Sequence, residues 1–484
     1  MQNTTPLFPG FHLRTLRRTP RSPHQKLLDE KAKIKQKTFS ELAQYLSHVV
    51  PIHHLKKVGS GLMSRRRIYS KENTFWAFFN QVLDADGGCQ EVVRKLQAVA
   101  AIHSKTLPSS LTAAYCQARK NLDLSELEAV LSDMSNRRLG SPSRLQGRRV
   151  IVADGTGISM PDTQANQAVW PQTRAQKIGC GFPQARICAC FDLASGMLNS
   201  YQIGNKKSHE LPLLRKQWAE FDEGDIFLGD KMFCSYYDIA RLADQGVDSV
   251  VTSRRKPVTA SEADKILGED DLLIHWEKPI RSHSTSYTRT QGELLPERLP
   301  VRQIKVTVQQ KGFRVSSFYI VTTLLDPALY PAEVIADLYL QRWDVEINFR
   351  DIKTTMDMDV LRCKTPEMIR KEIVIHLIVY NAIRQLMLES AEFSKTEVRR
   401  VSFKASIQAI RQWEPHLIQL TDSNKRQLLH QLYKLIAQKI VLDRPGRREP
   451  RAIKRRPKNY QRMTQPRHLM QETPHRGKSL AERA

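Results

Sequence analysis

Four polar side chains between positions 339 and 353 have the types and spacing to act on a phosphate ester. They are Tyr339, Arg342, Glu346 and Lys353, separated by three, four and seven residues. At about 100° per helical residue, this spacing places them within roughly a 60° arc. Arginine and lysine bind phosphate oxygens, and a carboxylate can hold a divalent cation. The pattern predicts one helix that presents all four groups. The alternative is a solvated helix face on which Arg342 pairs with Glu346.

Two aspartates could complete a metal site around Glu346. Asp154 follows the apolar run RRVIVA and Asp230 follows DIFLG, so each is predicted at the end of a buried strand. Three converging carboxylates repel one another unless they share cations, and hard oxygen ligands favour Mg²⁺, with Mn²⁺ as a substitute. Two such ions, about 4 Å apart, can activate a water or a 3′-hydroxyl and stabilise the oxygen that leaves a phosphodiester. Four other acids are expected to lie outside this site: Asp225, Asp337, Asp344 and Asp351.

The segments that would position these acids follow the order of a ribonuclease-H-like sheet, so the predicted fold class is α/β and multidomain. Strands are predicted at 148–156, 184–193, 197–205, 225–231 and 248–253, with helices at 210–221 and 236–245. This catalytic core is predicted in two parts, 146–253 and 331–390, and the second part carries the helix with Glu346. Between them, alternating segments and prolines predict a β-rich insertion at 254–330.

The remaining segments are predicted to be helical and basic. Residues 1–145 would form a basic arm and a helical DNA-binding domain, and 391–443 would form C-terminal helices. The tail at 444–484 holds 13 Lys or Arg and three Glu and is predicted to be disordered. Helices are predicted at 91–103, 110–121, 125–134, 365–388, 402–413 and 424–440, and helix N-caps at Thr38, Ser70 and Thr365. Exposed cations predicted to face DNA are Lys56, Lys57, Arg65, Arg66 and Arg67.

The overall charge points to nucleic acid as the partner. Lys and Arg number 76 against 50 Asp and Glu, a formal net charge of +26, which predicts a polyanionic partner. The longest apolar run, IVIHLIVY (373–380), is too short to span a bilayer, and the N-terminus lacks the apolar region of a signal peptide. We therefore expect no membrane contact and a cytoplasmic, nucleoid-associated protein. Seven cysteines without a C-x-x-C pair predict buried thiols rather than a zinc ribbon or disulfides.

These motifs resemble a known family. Asp154 within ADGT, Asp230 within LGDKMF and the Y-x2-R-x3-E-x6-K spacing resemble the DDE transposases of bacterial insertion sequences, and the last pattern resembles the YREK signature of the IS-four family. The resemblance covers 110–360 and extends to the basic segment PRAIKRRPKNY (450–460). It implies a homodimer that acts on double-stranded DNA. Such an enzyme binds the terminal inverted repeats of an element, cuts there and joins the freed 3′-hydroxyls to target DNA, in studied relatives through a hairpin.

The resemblance also implies residue roles. Tyr339, Arg342 and Lys353 would hold phosphates near the scissile bond. Phe318 would stack a base flipped from the element end, although an inward-facing strand residue is its other interpretation. Two alternatives to a transposase stay open at this point. One is a repair or resolving nuclease on the same fold, which needs the carboxylates but not the YREK stripe. The other is a catalytically silent DNA-binding protein descended from a transposase, against which the three intact acids argue.

Overall fold

One large β-sheet organises the computed structural model, which describes residues 4–5, 8–12, 46, 48–55, 63, 68–102, 107–136, 145–206, 208–280, 292–307, 317–417, 422–441, 463–466 and 469–470. Ahead of that sheet, Thr4–Thr5 (β1) and Phe8–His12 (β2) form a short antiparallel pair. The strands that the sequence predicts do not include this part of the basic arm, so the pair is an addition to them. The capping pattern at Thr38 and the cations at 56–57 and 65–67 lie outside the described residues, as does most of the tail.

Four helices with described bounds precede the large sheet, close to positions where the sequence predicts helices. They are Lys71–Leu83 (α1), Cys89–Ile102 (α2), Ala113–Lys120 (α3) and Leu124–Asn136 (α4). Ser70 caps α1, and its Oγ accepts the N–H of Asn73 at 3.3 Å. The aromatic side chains of α1 are buried because they follow helical spacing and face the rest of the protein.

In the described part of the chain, the large sheet contains nine strands, with helices between several of them. In chain order the elements are Val150–Ser159 (β3), Gln164–Val169 (α5), Gln184–Asp192 (β4), Leu198–Asn205 (β5), Glu210–Arg215 (α6), Ile226–Gly229 (β6), Tyr236–Asp244 (α7), Asp248–Thr252 (β7), Lys265–Gly268 (β8), Asp271–Glu277 (β9), Arg298–Thr307 (β10) and Ser317–Thr322 (β11). The spatial order is β5-β4-β3-β6-β7-β11-β10-β9-β8. Strands β3, β6 and β7 are parallel to one another, and every other neighbouring pair is antiparallel. The predicted order of three strands, helix, strand, helix, strand is confirmed, and α5 is an additional short helix.

The strands predicted between 254 and 330 continue this sheet. Strand β11 pairs antiparallel with β7, and β10, β9 and β8 follow outward from it. A buried ion pair joins β9 to β10: Nε of Arg302 donates to Oδ1 of Asp271 at 2.7 Å, and both side chains are almost fully buried. The Arg302 guanidinium also donates to the carbonyl oxygen of Tyr330 at 2.6 Å. These contacts connect the outer strands to the chain segment that leads into residues 332–355.

The segment with the YREK spacing is a continuous helical run of four parts rather than one uniform α-helix. Ala332–Leu340 (α8) leads through a 3₁₀ turn at Gln341–Trp343 into Asp344–Arg350 (α9), and the run ends in a π-helical turn at Asp351–Thr355. The prediction of a single α-helix is therefore wrong in detail. Because 3₁₀ and π turns wind differently from an α-helix, an arc drawn at constant angle per residue does not describe the four side chains.

A long buried helix, Pro366–Phe393 (α10), packs behind that run and is followed by Phe403–Leu417 (α11) and Asp422–Gln438 (α12). Thr365 caps α10 with Pro366 in the first turn, as predicted, and Thr365 Oγ1 accepts the N–H of Met368. Helix α10 contacts α1, α4, α11 and α12, so it links the N-terminal and C-terminal helices to the sheet. Among the described residues, no helix is long and apolar enough to cross a membrane.

Candidate active site

Asp154 on β3 and Asp230, directly after β6, occupy equivalent positions along two adjacent parallel strands. The last pair in the parallel register between β3 and β6 is Val152 with Leu228, and two residues further along each chain are Asp154 and Asp230. Neighbouring strands lie about 4.8 Å apart. The sheet therefore brings two carboxylates side by side at the point where the pairing of β3 with β6 stops.

The expectation that Asp154 ends its strand is wrong, whereas Asp230 does follow the last residue of β6. Strand β3 continues to Ser159, with Asp154 opposite Ala189 of β4. The glycine-rich sequence after Asp154 resembles a turn, but pairing with β4 keeps it extended. On its other side β3 pairs with β6 only as far as Val152, and the next described partner there is Val360, which forms a single parallel bridge with Ser159. Asp154 is thus central along β3 but lies at an open edge toward β6.

The two aspartates are held by short backbone contacts. Oδ1 of Asp154 accepts the N–H of Gly155 at 2.7 Å, and Oδ1 of Asp230 accepts the N–H of Met232 at 2.7 Å, which caps a 3₁₀ turn. Burial, the largest cause, raises the pKa of Asp154 to about 6. The Gly155 hydrogen bond opposes this shift, the charges of Glu210 and Asp230 add to it, and Arg342 opposes it. The electrostatics of this edge therefore involve more negative charge than two aspartates supply.

Glu346 lies on α9, which packs on the same face of β3 as Asp154. Val345 and Phe349 of α9 are buried, and the Phe349 ring meets Phe191 of β4 edge-on, with centroids 5.3 Å apart. Val150 and Val152 of β3 belong to the same core as these residues, and alternation along the strand puts Asp154 on that face too. Glu346 itself is exposed. The packing therefore places α9, the helix that carries Glu346, on the face of the sheet to which Asp154 points.

The two predicted phosphate-binding cations differ in their surroundings. Arg342 is 9% exposed, lies over the Trp343 ring at 5.0 Å, and has an Nε atom without a hydrogen-bond partner among the described residues. Lys353 is partly buried on the π-helical turn. Within the described part of the chain, Arg342, Lys353 and Glu346 make no ion pair within 4 Å. The alternative in which Arg342 pairs with Glu346 along the helix is therefore not what the structure shows.

Tyr339 and Phe318 pack together behind the edge. Tyr339 is 6% exposed, and its hydroxyl makes a short hydrogen bond with Oγ1 of Thr252 in β7. The Phe318 ring of β11 packs against the Tyr339 ring, with centroids 5.4 Å apart. Phe318 is partly buried against the core, which matches its interpretation as an inward-facing strand residue.

Glu210 is a fourth carboxylate that the sequence reasoning misses. It is the first residue of α6, and its carboxyl carbon lies so close to Gly155 that a Cβ on that glycine would be 2.3 Å from it. Its Oε1 accepts a hydrogen bond from Nη1 of Arg186 at 3.0 Å. The signal in the sequence is the pair Gly155 and Gly157, because glycines two apart in a strand leave one face open to close approach.

The acids expected to lie outside the site are mostly neutralised elsewhere. Asp225 pairs with Arg149 at 2.9 Å, Asp344 with Arg399 at 2.8 Å and Asp351 with Arg384 at 3.1 Å. Asp154, Asp230 and Glu346 make no ion pair with any described residue. Carboxylates without cationic partners are hard oxygen ligands of the kind that Mg²⁺ and Mn²⁺ prefer, so the chemistry of these three residues fits such ions.

Comparison with known proteins links this chain to transposition. The transposase DDE domain family matches residues 145–382. The transposase InsG of insertion sequence element IS4 from Escherichia coli (strain K12) is 24% identical over 433 residues, which span 87% of this chain and 93% of that protein. The transposase of insertion sequence element IS421 from Escherichia coli is 30% identical over 86 residues, or 18% of this chain and 23% of that protein. A cryo-EM structure of the piggyBac transposase synaptic complex with hairpin DNA is 11% identical, covers 87% of both chains and has a TM-score of 0.39.

Proposed function

Because the chain belongs to the DDE transposases of the IS4 insertion-sequence family, we propose that Asp154, Asp230 and Glu346 are its catalytic carboxylates. They would bind two Mg²⁺ ions, or Mn²⁺ in their place, and serve both DNA cleavage and joining of the 3′-hydroxyl to target DNA. The observation that carries this assignment is the shared register of Asp154 and Asp230 at an open sheet edge, beneath the helix that bears Glu346. The spatial order β5-β4-β3-β6-β7 also supports a ribonuclease-H-like core.

The three carboxylates would act by holding the divalent cations in place. When bound, the ions would supply Lewis-acid activation of the attacking oxygen and stabilise the leaving oxygen. Asp154 and Asp230 are pre-oriented by backbone N–H groups, so little conformational freedom is lost when they bind a ligand. Glu346 is on a helix whose neighbours Val345 and Phe349 are buried, which restricts its movement relative to β3.

Arg342 and Lys353 would bind DNA phosphates near the scissile bond. Neither is neutralised by an acid among the described residues, and the unpartnered Nε of buried Arg342 is a donor that a phosphate oxygen would satisfy. Tyr339 would act with them as a positioning residue, because its hydroxyl already bonds Thr252 and its ring lies 5.8 Å from the Arg342 guanidinium. The effect of the Arg342 charge on Asp154 supports a position for the arginine near the carboxylate edge.

The remaining parts of the chain would bind the DNA around the cut. We assign 1–145 to recognition of the terminal inverted repeats, 146–253 and 331–390 to the catalytic core, 254–330 to its insertion, 391–443 to C-terminal helices and 444–484 to a basic tail on phosphates. The net charge of +26 supports binding to both element and target DNA. A homodimer would pair two element ends so that both are cut and joined together.

The test uses purified protein and a DNA fragment that carries both ends of the element surrounding the gene. We expect Mg²⁺-dependent cutting at the ends and joining of 3′-hydroxyl ends to a supercoiled plasmid. Asp154→Ala, Asp230→Ala and Glu346→Ala should each abolish both steps while gel-shift binding of the end fragment survives. Near-normal cutting by any one variant would remove that residue from the site.

A further inference from the structure

We propose that Glu210 is a fourth carboxylate of the metal site, paired with Arg186 in the free protein and contributing a ligand oxygen when the cations bind. This inference rests on the proposed function, since it assumes that Asp154, Asp230 and Glu346 hold the ions. It assigns a role to a residue that lies outside the three-acid set and the YREK stripe.

The first argument is the space made for Glu210 beside Asp154. In the extended strand β3, Gly155 and Gly157 alternate on one face, and Arg186 of β4 lies opposite Gly157. The Glu210 side chain occupies the gap over Gly155, where any Cβ would collide with its carboxyl group. Glycine within a strand weakens it, so its presence here indicates that close approach is required. The Glu210 carboxyl group is thereby held against the residue next to Asp154.

The second argument is the direction of approach. Ile151 and Ala153 belong to the core on the α6 face of the sheet, and Gly155 continues that alternation. Asp154 points to the opposite face, where α9 carries Glu346. Since β6 ends at Gly229, no described strand pairs with β3 on that side between Val152 and the bridge from Ser159 to Val360. Glu210 and Glu346 can therefore reach the same open edge from opposite sides of the sheet.

The third argument is incomplete neutralisation at this edge. Arg186 contacts one oxygen of Glu210, and among the described residues no donor bonds Oε2. Both side chains are mostly removed from solvent, at 32% exposed for Arg186 and 17% for Glu210. Arg342, nine-tenths buried nearby, also has an Nε without a described partner. A carboxylate with a free oxygen and an arginine with a free donor are what a site for cations and phosphate would contain.

The experiment measures Mn²⁺ binding to the DNA-free, full-length protein by isothermal titration calorimetry, with melting temperature as a check of folding. Glu210→Gln should lower Mn²⁺ affinity by about 10- to 100-fold, the range seen when a group supporting a metal site is lost. Arg186→Gln should raise the affinity several-fold, because it frees Glu210 from its competing partner. Glu220→Gln is the matched control. It removes one exposed carboxylate after α6 and should leave Mn²⁺ affinity unchanged.

Glu210→Gln and Arg186→Gln should change Mn²⁺ affinity in opposite directions only if Glu210 binds the metal. Unchanged Mn²⁺ affinity in both Glu210→Gln and Arg186→Gln, with lower melting temperatures, would mean a purely structural ion pair and overturn the inference. If Glu210→Gln unfolds, an unchanged or weakened affinity in Arg186→Gln overturns it equally. Asp154→Asn separates this inference from the proposed function. Unchanged Mn²⁺ affinity there would overturn the proposed metal site itself, whereas lost affinity there with normal binding by Glu210→Gln would reject Glu210 alone.

Discussion

Asp351 and Glu346 lie five residues apart on one helical run, yet their surroundings are opposite. Asp351 is 3% exposed and receives Nη2 of Arg384 from α10 at 3.1 Å. Glu346 is exposed and has no ion-pair partner among the described residues. The same contrast separates Asp271, paired with buried Arg302 in the extension of the sheet, from Asp154 at the open edge of β3.

The difference shows where the fold places its arginines. A buried carboxylate without a partner is costly, so the core acids are each supplied with a guanidinium from a distant segment. The edge acids are left with negative charge that the described protein groups do not neutralise, and burial, with smaller contributions from the charges of Glu210 and Asp230, raises the pKa of Asp154. We interpret the core pairs as structural and the edge acids as ligands for cations that arrive from solution.

The largest expected effect is at Glu346. Glu346→Gln should reduce Mg²⁺-dependent cutting roughly a thousandfold or more, because several kcal/mol of transition-state stabilisation depend on the ions it helps to hold. The free energy of unfolding should change by less than about 0.5 kcal/mol, since the side chain is exposed. Asp344→Asn, on the same helix but paired with Arg399, is the control and should still cut. An equal loss of cutting in both variants would contradict the distinction between acids paired with an arginine and acids without an ion-pair partner.

The next effect is on stability and belongs to the core. Asp271→Asn leaves the Arg302 guanidinium buried without its counter-charge and should lower the free energy of unfolding by about 3–5 kcal/mol. Asp270→Asn is a neighbouring control, because Asp270 pairs with Lys305 near the surface and should contribute less than about 1 kcal/mol. Urea denaturation of both variants measures the difference. Similar losses of unfolding free energy in the two variants would show that burial does not decide how much these ion pairs contribute to stability.

The third prediction is a substitution that should raise the free energy of unfolding, whereas the second should lower it. The pKa of Asp154 in the folded protein is about 6, against about 3.9 when unfolded. The folded state therefore holds the proton more tightly, and stability falls as pH rises between those values. In EDTA at pH 7.5, Asp154→Asn should raise the free energy of unfolding by up to about 2–3 kcal/mol. The gain should vanish near pH 4. A destabilised variant at pH 7.5 would place Asp154 with the core acids.

The smallest expected effect distinguishes the role of Arg342 and Lys353 from that of the carboxylates at the edge. Arg342→Ala and Lys353→Ala should leave Mn²⁺ affinity intact and slow the steps after nicking. Each lost phosphate contact would cost about 1.5–3 kcal/mol, or roughly ten- to a hundredfold in rate. Arg342→Lys should rescue poorly because it lacks a bidentate guanidinium. Exposed Arg350 on the same run provides the control variant Arg350→Ala.

A time course that resolves nicked, hairpin and joined DNA would decide this last case. Equal slowing of every step, together with a changed Mg²⁺ requirement, would show that Arg342 supports the acids rather than the substrate.

Local sequence patterns were sufficient for the order of the core strands and for the caps at Ser70 and Thr365, because alternation and capping depend on neighbouring residues. They were insufficient for the end of β3. Residues after Asp154 resemble a turn, and only pairing with a strand some thirty residues away in the chain keeps them extended. They were also insufficient for the run through Tyr339 and Lys353, where 3₁₀ and π turns interrupt the α-helix that constant spacing predicts.

By itself, the sequence determined which acids and cations could do the chemistry and the order of the elements that carry them, since residue type and periodicity are properties of short segments. Only the tertiary structure decided which carboxylates are neutralised. Arg384 and Arg302 reach Asp351 and Asp271 across packed elements, and Glu210 reaches the edge of β3 through a gap left by glycine. The physical reason is that charge compensation depends on distances between segments far apart in the chain, and packing of the sheet and helices sets those distances.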